Sequence, residues 1–345
     1  MVSGSPLHFC PVAGEIHAGP TSIHALQPGS TVRIMTGAAL PEGADAVVPF
    51  EWTDGGVDRV EVRQAPSLGQ HVRRAGEDVT RGDVLVKAGE PLDARRLAVV
   101  AAVGIDRIST PPRPRVAVMS TGAELVEPGE PLRGESIYDS NSYLLAAAVR
   151  DAGGAPVRVP ATPDDPDAFL AALESQLDHV DAVVTTGGVS KGTRDVVKAA
   201  LQGSADHPGV VFREVAMQPG KPQGFGVLGP DRTPLFALPG NPVSTYVSFE
   251  LFVAPALRAM IGRDPVSRPS LSLRTTEPLR SIPGKRQFLR GRVGPDDSEV
   301  APVGGPGSHL LGGLSGANAL IVLAEDVTGV AAGEEVPVLL LDRDF

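Results

Sequence analysis

Apolar positions in this chain fall in short runs broken by Gly and Pro, and the spacing between runs changes character twice along its length. From residue 12 to about 92, β-like runs at 30–35, 45–50, 57–62 and 83–87 alternate with turn residues, which predicts a compact, mostly antiparallel domain. Over 93–105 the Ala, Val and Leu residues recur with helical period behind Asp93, a natural N-cap, and Pro111, Pro112 and Pro114 then read as a linker.

Beyond the linker, strand-like runs at 116–119, 157–160 and 182–185 alternate with helical stretches. One helix opens at Asp139 or Ser140 and runs through Arg150, one opens at Asp164-Asp165-Pro166 and runs to about Leu177, and one spans 193–201. Strands and helices alternating at this spacing give βαβ units and a parallel sheet. After runs at 210–215 and 235–238, Asn241 caps a long apolar helix reaching about residue 261, with Pro242 suited to its first turn. From 270 onward the runs 271–274, 287–293, 319–323 and 336–341 have no helical partner, so a small barrel or sandwich is expected. The pattern predicts a multidomain α/β chain: a mainly-β domain over 1–92, a helix and linker over 93–112, a central parallel-sheet α/β domain over 113–265, and a C-terminal β-barrel domain over 266–345.

Bulk numbers narrow the function. At 345 residues the chain exceeds the size at which one core stops growing, in keeping with several domains. A net charge of -10 and aromatics at 4% argue against a nucleic-acid partner, because neither a basic surface nor stacking material is abundant. Cys10 is the only cysteine, so no intrachain disulfide and no Cys-rich metal site exist, which points to a reducing, cytoplasmic setting. The seven histidines are scattered without helical metal spacing, and no apolar stretch is long enough to span a bilayer. A small-molecule partner is expected.

Candidate chemistry sits in four segments, each behind a predicted strand: Ser120-Thr121-Gly122-Ala123-Glu124, Thr185-Thr186-Gly187-Gly188-Val189-Ser190, Pro219-Gly220-Lys221-Pro222 and Leu238-Pro239-Gly240-Asn241-Pro242. In an open parallel sheet, loops at the carboxyl ends of the strands converge on one crevice. Glycines there let a phosphate approach the backbone, and helix N-termini behind Gly188 and Gly240 favour an anion. No Lys-Ser or Lys-Thr ending of a P-loop is present, and the glycines lack dinucleotide-fingerprint spacing. Of the surrounding carboxylates, Asp139 and Asp164 sit where a helix cap belongs. Asp195 is expected one turn inside its helix, facing the glycine loop, where a carboxylate beside a phosphate needs a bridging cation such as Mg²⁺ or a hydroxyl or ring donor. Lys221, between two prolines, supplies a point charge for phosphate or is a solvated surface lysine.

Together with 33–38, 41–48, 73–78, Ile137-Tyr138-Asp139-Ser140-Asn141, Gly307-Ser308-His309 and Ala317-Asn318-Ala319-Leu320, these segments make nearly the whole chain resemble the molybdopterin molybdenumtransferases, the MoeA family that includes the E domain of gephyrin. The resemblance implies a molybdopterin-binding α/β domain, with 93–112 a remnant of a helical domain. It implies insertion of molybdate into adenylylated molybdopterin with release of AMP, aided by Mg²⁺ or another divalent cation. Catalytic positions carried over are Asp78, Glu124 and Asp195, with Glu124 and Asp195 as metal ligands. Substrate-binding positions are Thr36, Asp164, Gly187, Gly188, Ser190, Gly220, Lys221, Gly240, Asn241 and Ser308. A homodimer is implied, as are contacts with a molybdopterin adenylyltransferase and with molybdoenzymes. Family members usually begin with a helical segment containing Ser-Ala-Met-Asp-Gly-Tyr-Ala, upstream of where Met1 stands, and this chain carries Ala123, Gln218 and Lys191 where the family usually has Asp, Lys and a small apolar residue. Two expectations stand: a transferase, or a non-catalytic paralog that binds a pterin nucleotide or serves as a scaffold.

Overall fold

The computed structural model describes residues 8–19, 25–189, 195–202, 204, 207 and 209–342, and the chain separates into two units, Met1–Val84 and Leu85–Phe345. In the first, β1 (His8–Ile16) pairs in parallel with β2 (Thr31–Ile34) and antiparallel with β3 (Arg59–Val62). The runs at 45–50 and 83–87 are not strands: Phe50–Trp52 is a 3₁₀ turn, and around 83 the chain closes on itself. There Asp83 accepts from the Thr80 amide at 2.8 Å while its own amide donates to the Thr80 carbonyl, so local side-chain bonds displace a ladder.

The second unit opens with α1 (Ala94–Ala102), capped as expected by Asp93, whose side chain accepts from the Arg96 amide at 2.9 Å. Next in order come β4 (Arg115–Thr121), β5 (Leu125–Val126), β6 (Ile137–Tyr138), α2 (Asn141–Asp151), β7 (Ala155–Thr162), α3 (Pro166–Leu177), β8 (Ala182–Thr186) and α4 (Val196–Leu201). They are followed by β9 (Val211–Glu214), β10 (Met217–Gln218), β11 (Pro222–Leu228) and β12 (Thr233–Leu238). The central sheet has the order β7-β4-β8-β12-β11-β9. The first four strands run parallel, but β11 is antiparallel to both of its neighbours, β12 and β9, so the sheet is mixed rather than wholly parallel. A tight turn from Leu228 to Thr233 can join β11 to β12 only as a hairpin.

Alternate residues of the parallel strands serve opposite faces. Val116, Val118, Val184 and Leu238 pack under Leu145, Val149 and Leu257, whereas Ala117, Met119, Val183 and Leu235 pack under Phe169, Leu173 and Leu201. Burial on both faces is why these strands read as unbroken apolar runs.

Caps refine the helix starts. Asp165, not Asp164, caps α3, accepting from the Ala168 amide at 2.8 Å. Asp165→Ala should lower stability by about 0.5 to 2 kcal/mol and Asp164→Ala by less, read as shifts in denaturation midpoint; equal losses would refute the cap assignment. The long helix after Asn241 is continuous but irregular: α5 (Pro242–Ser248), a π-helical turn Phe249–Val253, and α6 (Ala254–Met260), stopped by Gly262 at φ +72.

The C-terminal strands are β13 (Ser270–Thr275), β14 (Leu279–Arg280), β15 (Arg286–Val293), β16 (Glu299–Pro302), β17 (Ala319–Leu323), β18 (Gly329–Val330) and β19 (Glu335–Leu340), with a short α7 (Gly312–Ser315). Five of them, in the order β15-β16-β13-β19-β17, close through an extra β17–β15 pairing into the expected barrel, and β10 is appended beside β15. That appended strand fixes the residues just before Pro219. Among the described residues no helix is long and apolar enough to cross a membrane.

Candidate functional site

Strands β4, β8 and β12 deliver Gly122, Gly187-Gly188 and Gly240 to the carboxyl edge of the sheet, and the turn between β10 and β11 adds Gly220 and Lys221. The four loops line one cleft of about 850 Å³, which Ser308 and His309 also enter. Glycine is required at Gly187, and Gly240 stands in ordinary contact beside it. Gly187 sits at φ +94, and a Cβ on it would lie 2.8 Å from the Thr121 carbonyl oxygen; one on Gly240 would lie 3.4 Å from the Gly187 Cα. The Gly187 amide donates to the Leu238 carbonyl at 3.1 Å, so that N–H joins two loops rather than facing an anion.

Side chains lock the arrangement. Asn141 Nδ2 donates to Thr186 Oγ1 at 3.1 Å and to the Gly240 carbonyl at 2.7 Å, clamping two glycine loops to the start of α2. Thr186 Oγ1 and Thr245 Oγ1 both donate to the Pro239 carbonyl, at 3.1 and 2.6 Å. Gln223 Nε2 donates to the Gly220 carbonyl at 2.7 Å and to Ser248 Oγ at 2.6 Å, which fixes the Pro219–Lys221 turn. Asn241 stands at the N-cap of α5 but its side chain makes no cap bond; it donates to Ser308 Oγ at 2.9 Å. The Ser308 carbonyl takes the Val243 amide at 3.1 Å, satisfying one of the helix's first donors.

Glu124, Asp164 and Asp195 all line this cleft. Asp164 Oδ2 accepts from the Ala123 amide at 3.4 Å and so braces the loop before Glu124 instead of capping a helix. Asp195 is corrected in position: α4 begins at Val196, so the carboxylate stands at the helix's N-cap, not one turn inside it. Asp139 stands one residue before the N-cap of α2, Ser140, whose side chain makes no cap bond; the Asp139 Oδ1 accepts from the Ser142 amide at 3.0 Å in its place and also from Ser120 Oγ at 3.1 Å. Lys221 lines the cleft with its Nζ 2.9 Å from Glu214 Oε2, both side chains about half exposed. Ser190 and Lys191 lie outside the described residues. Thr36 and Asp78 belong to the first unit, where both are exposed; Thr36 lines a cleft of about 900 Å³ there with Arg73 and Glu77, and Asp78 does not.

Among the described residues no three His, Cys, Asp or Glu side chains form a ready-made metal cage. The carboxylates lining the cleft are those of Glu124, Asp164 and Asp195 and that of Asp139, whose Oδ1 is already engaged by Ser120 and Ser142. Sequence reasoning quoted Asn141 within a motif but gave it no role, and it passed over Arg290, whose guanidinium donates to the Gly305 and Leu310 carbonyls on either side of Ser308.

Three family models cover the chain: "MoeA N-terminal region (domain I and II)" over residues 4–104, "Probable molybdopterin binding domain" over 117–259, and "MoeA C-terminal region (domain IV)" over 272–341. Molybdopterin molybdenumtransferase 2 of Mycobacterium tuberculosis is 47% identical across 95% of this chain and 81% of its own length. Molybdopterin molybdenumtransferase 1 of the same organism is 42% identical across 99% and 81%. The crystal structure of a MoeA molybdopterin biosynthesis protein from Pyrococcus horikoshii is similar with a TM-score of 0.79 and 32% identity, covering 97% of this chain and 82% of that one. On these matches, the chain belongs to the MoeA family of molybdopterin molybdenumtransferases.

Proposed function

We propose that the chain works in molybdenum cofactor biosynthesis, inserting molybdate into the dithiolene of adenylylated molybdopterin while the pyrophosphate link is cleaved and AMP leaves. The carrying observation is the single cleft in which Gly122, Gly187-Gly188, Gly220-Lys221, Gly240 and Ser308 meet the carboxylates of Glu124, Asp164 and Asp195. Glycines at the loop contacts give a phosphate close access to the backbone, and Lys221 supplies a charge for it. Asn141 and Thr245 keep the loops in register, so the substrate meets a preformed surface.

Glu124 and Asp195 are the proposed holders of Mg²⁺ or another divalent cation, with Asp164 the third carboxylate in reach of the same cleft. Two or three carboxylate oxygens fit Mg²⁺, which normally completes its shell with water and substrate phosphate rather than an all-protein cage. When bound, such an ion polarises phosphoryl oxygens and activates the attacking oxygen. Thr36 and Asp78 remain proposed contributors by family position, with Ser190. The four-part division at 92, 112 and 265, a homodimer, contacts with a molybdopterin adenylyltransferase and with molybdoenzymes, and a cytoplasmic setting complete the reading; the free thiol of Cys10 suits that compartment.

AMP release from adenylylated molybdopterin with molybdate and Mg²⁺ tests the reaction; a folded chain that releases none refutes it. Lys221→Ala should weaken substrate binding by about 1.5 to 3 kcal/mol, the range for a hydrogen bond to a charged group. Its pair with Glu214 is half exposed, so stability should change by less than about 1 kcal/mol. Calorimetric affinity unchanged by the substitution would return Lys221 to the solvated surface.

A further inference from the structure

Arg290, in the middle of β15, lies on the face turned away from the barrel core, the face of Phe288 and of its own cross-strand partner Leu320, and is 4% exposed. A buried guanidinium normally meets a carboxylate, because an unpaired charge away from water is costly. Here, among the described residues, it forms no ion pair, and burial lowers its pKa from the usual arginine value. Its donors go instead to two carbonyls, Nη1 to Leu310 and Nη2 to Gly305. Glycines wrap it: a Cβ on Gly313 would lie 3.3 Å from the guanidinium carbon, and one on Gly304 would lie 3.6 Å from Nη2. Residues 305–310 therefore form an arch whose two feet rest on one rigid fork.

The crown of that arch is Ser308. Its hydroxyl accepts from Asn241 Nδ2 at 2.9 Å, its carbonyl takes the Val243 amide at 3.1 Å, and both Ser308 and His309 line the cleft. The segment's internal bonds among the described residues are the short turns from Leu310 to Gly307 and from Leu311 to His309.

We propose that Arg290 is a positioning residue for the reaction: by gripping the Gly305 and Leu310 carbonyls it fixes the arch that presents Ser308 and His309 to the substrate. The proposal rests on the transferase reading of the cleft. Its chemistry requires a planar two-armed donor. A lysine keeps the charge but reaches one carbonyl at a time, so one foot of the arch is released.

The test uses Arg290→Lys, Ser308→Ala and the double variant in the full chain. Arg290→Lys should lower kcat per folded molecule on the order of tenfold, from a misplaced binding group, with a small change in melting temperature. It should also speed hydrogen exchange at the Val243 amide. Because Arg290 acts through Ser308, the double variant should turn over within about twofold of Ser308→Ala alone, the mark of coupled residues. A purely structural arginine would give fewer folded molecules of normal kcat and independent effects, and either result overturns the proposal, as does unchanged Val243 exchange. If the wild-type chain releases no AMP, the transferase reading falls, and Val243 exchange alone decides whether Arg290 holds the arch.

Discussion

Glu250→Ala should destabilise the second unit by about 3 to 5 kcal/mol, the loss typical when one partner of a buried ion pair is removed. Glu250 sits in the π-helical turn with its side chain 4% exposed, and Arg268 beside it is 12% exposed. The pair is two-pronged, Nε to Oε2 at 2.6 Å and Nη2 to Oε1 at 3.1 Å, and Arg268 also donates to the Leu341 carbonyl. The contact thus ties the long helix behind the cleft to the two ends of the barrel. Burial, and then the Glu250 charge, push the Tyr246 hydroxyl pKa up, as expected where water is scarce. Alanine would leave the guanidinium without its carboxylate in that setting. The denaturation midpoint reads the effect, and Glu250→Leu with Arg268→Met should recover most of the loss, since apolar replacements of a buried pair are often neutral or better. A single-variant loss below about 1 kcal/mol would mean that water reaches the pair and screens it as it does a surface pair.

The contrast between what the chain's pattern reveals and what it hides is physical. Strands β4, β8 and β12 are legible because helices cover both faces and demand continuous apolar side chains, and the loop after β8 is legible because only glycine fits at Gly187. Strand β11 is hidden by its own glycines, which imitate a turn. A Cβ on Gly224 would lie 2.7 Å from the Phe212 ring and one on Gly226 2.5 Å from the Val210 Cα, so these glycines are there to let β9 approach. Run 45–50 misleads in the opposite direction, looking like a strand while Phe50–Trp52 turns.

Within the cleft, family resemblance located Glu124, Asp164, Lys221 and Ser308, and the fold does bring them together. The residues that hold them there were invisible: Asn141 reaches Gly240 across 99 positions, and Arg290 acts on carbonyls, which carry no residue identity. Local periodicity cannot report either kind of contact. Asp195 moved from inside α4 to its cap because the helix starts at Val196, and boundaries are the part of a helix that propensity fixes least.

Gly187→Ala should abolish most turnover while leaving the chain folded. The residue holds φ +94, a conformation that costs a non-glycine residue about 1 to 3 kcal/mol. The added methyl would also stand 2.8 Å from both the carbonyl and hydroxyl oxygens of Thr121, backbone and side chain of the neighbouring β4 loop. Neither can yield freely, because Gly187 is tied on its other side to Leu238 by a 3.1 Å amide bond and Thr121 ends a strand buried on both faces. The loops must therefore part, and a shift of about 1 Å at a reacting site costs on the order of a hundredfold in rate. Gly333→Ala is the control. It pays the same kind of backbone penalty at φ +84, but a Cβ there meets nothing within 4 Å and the residue lies outside the cleft. AMP release measured for both variants at matched folded concentration separates strain from site damage. Equal rates for the two would show that the Gly187 contact does not shape the reaction, and wild-type turnover by Gly187→Ala would remove this loop from the site.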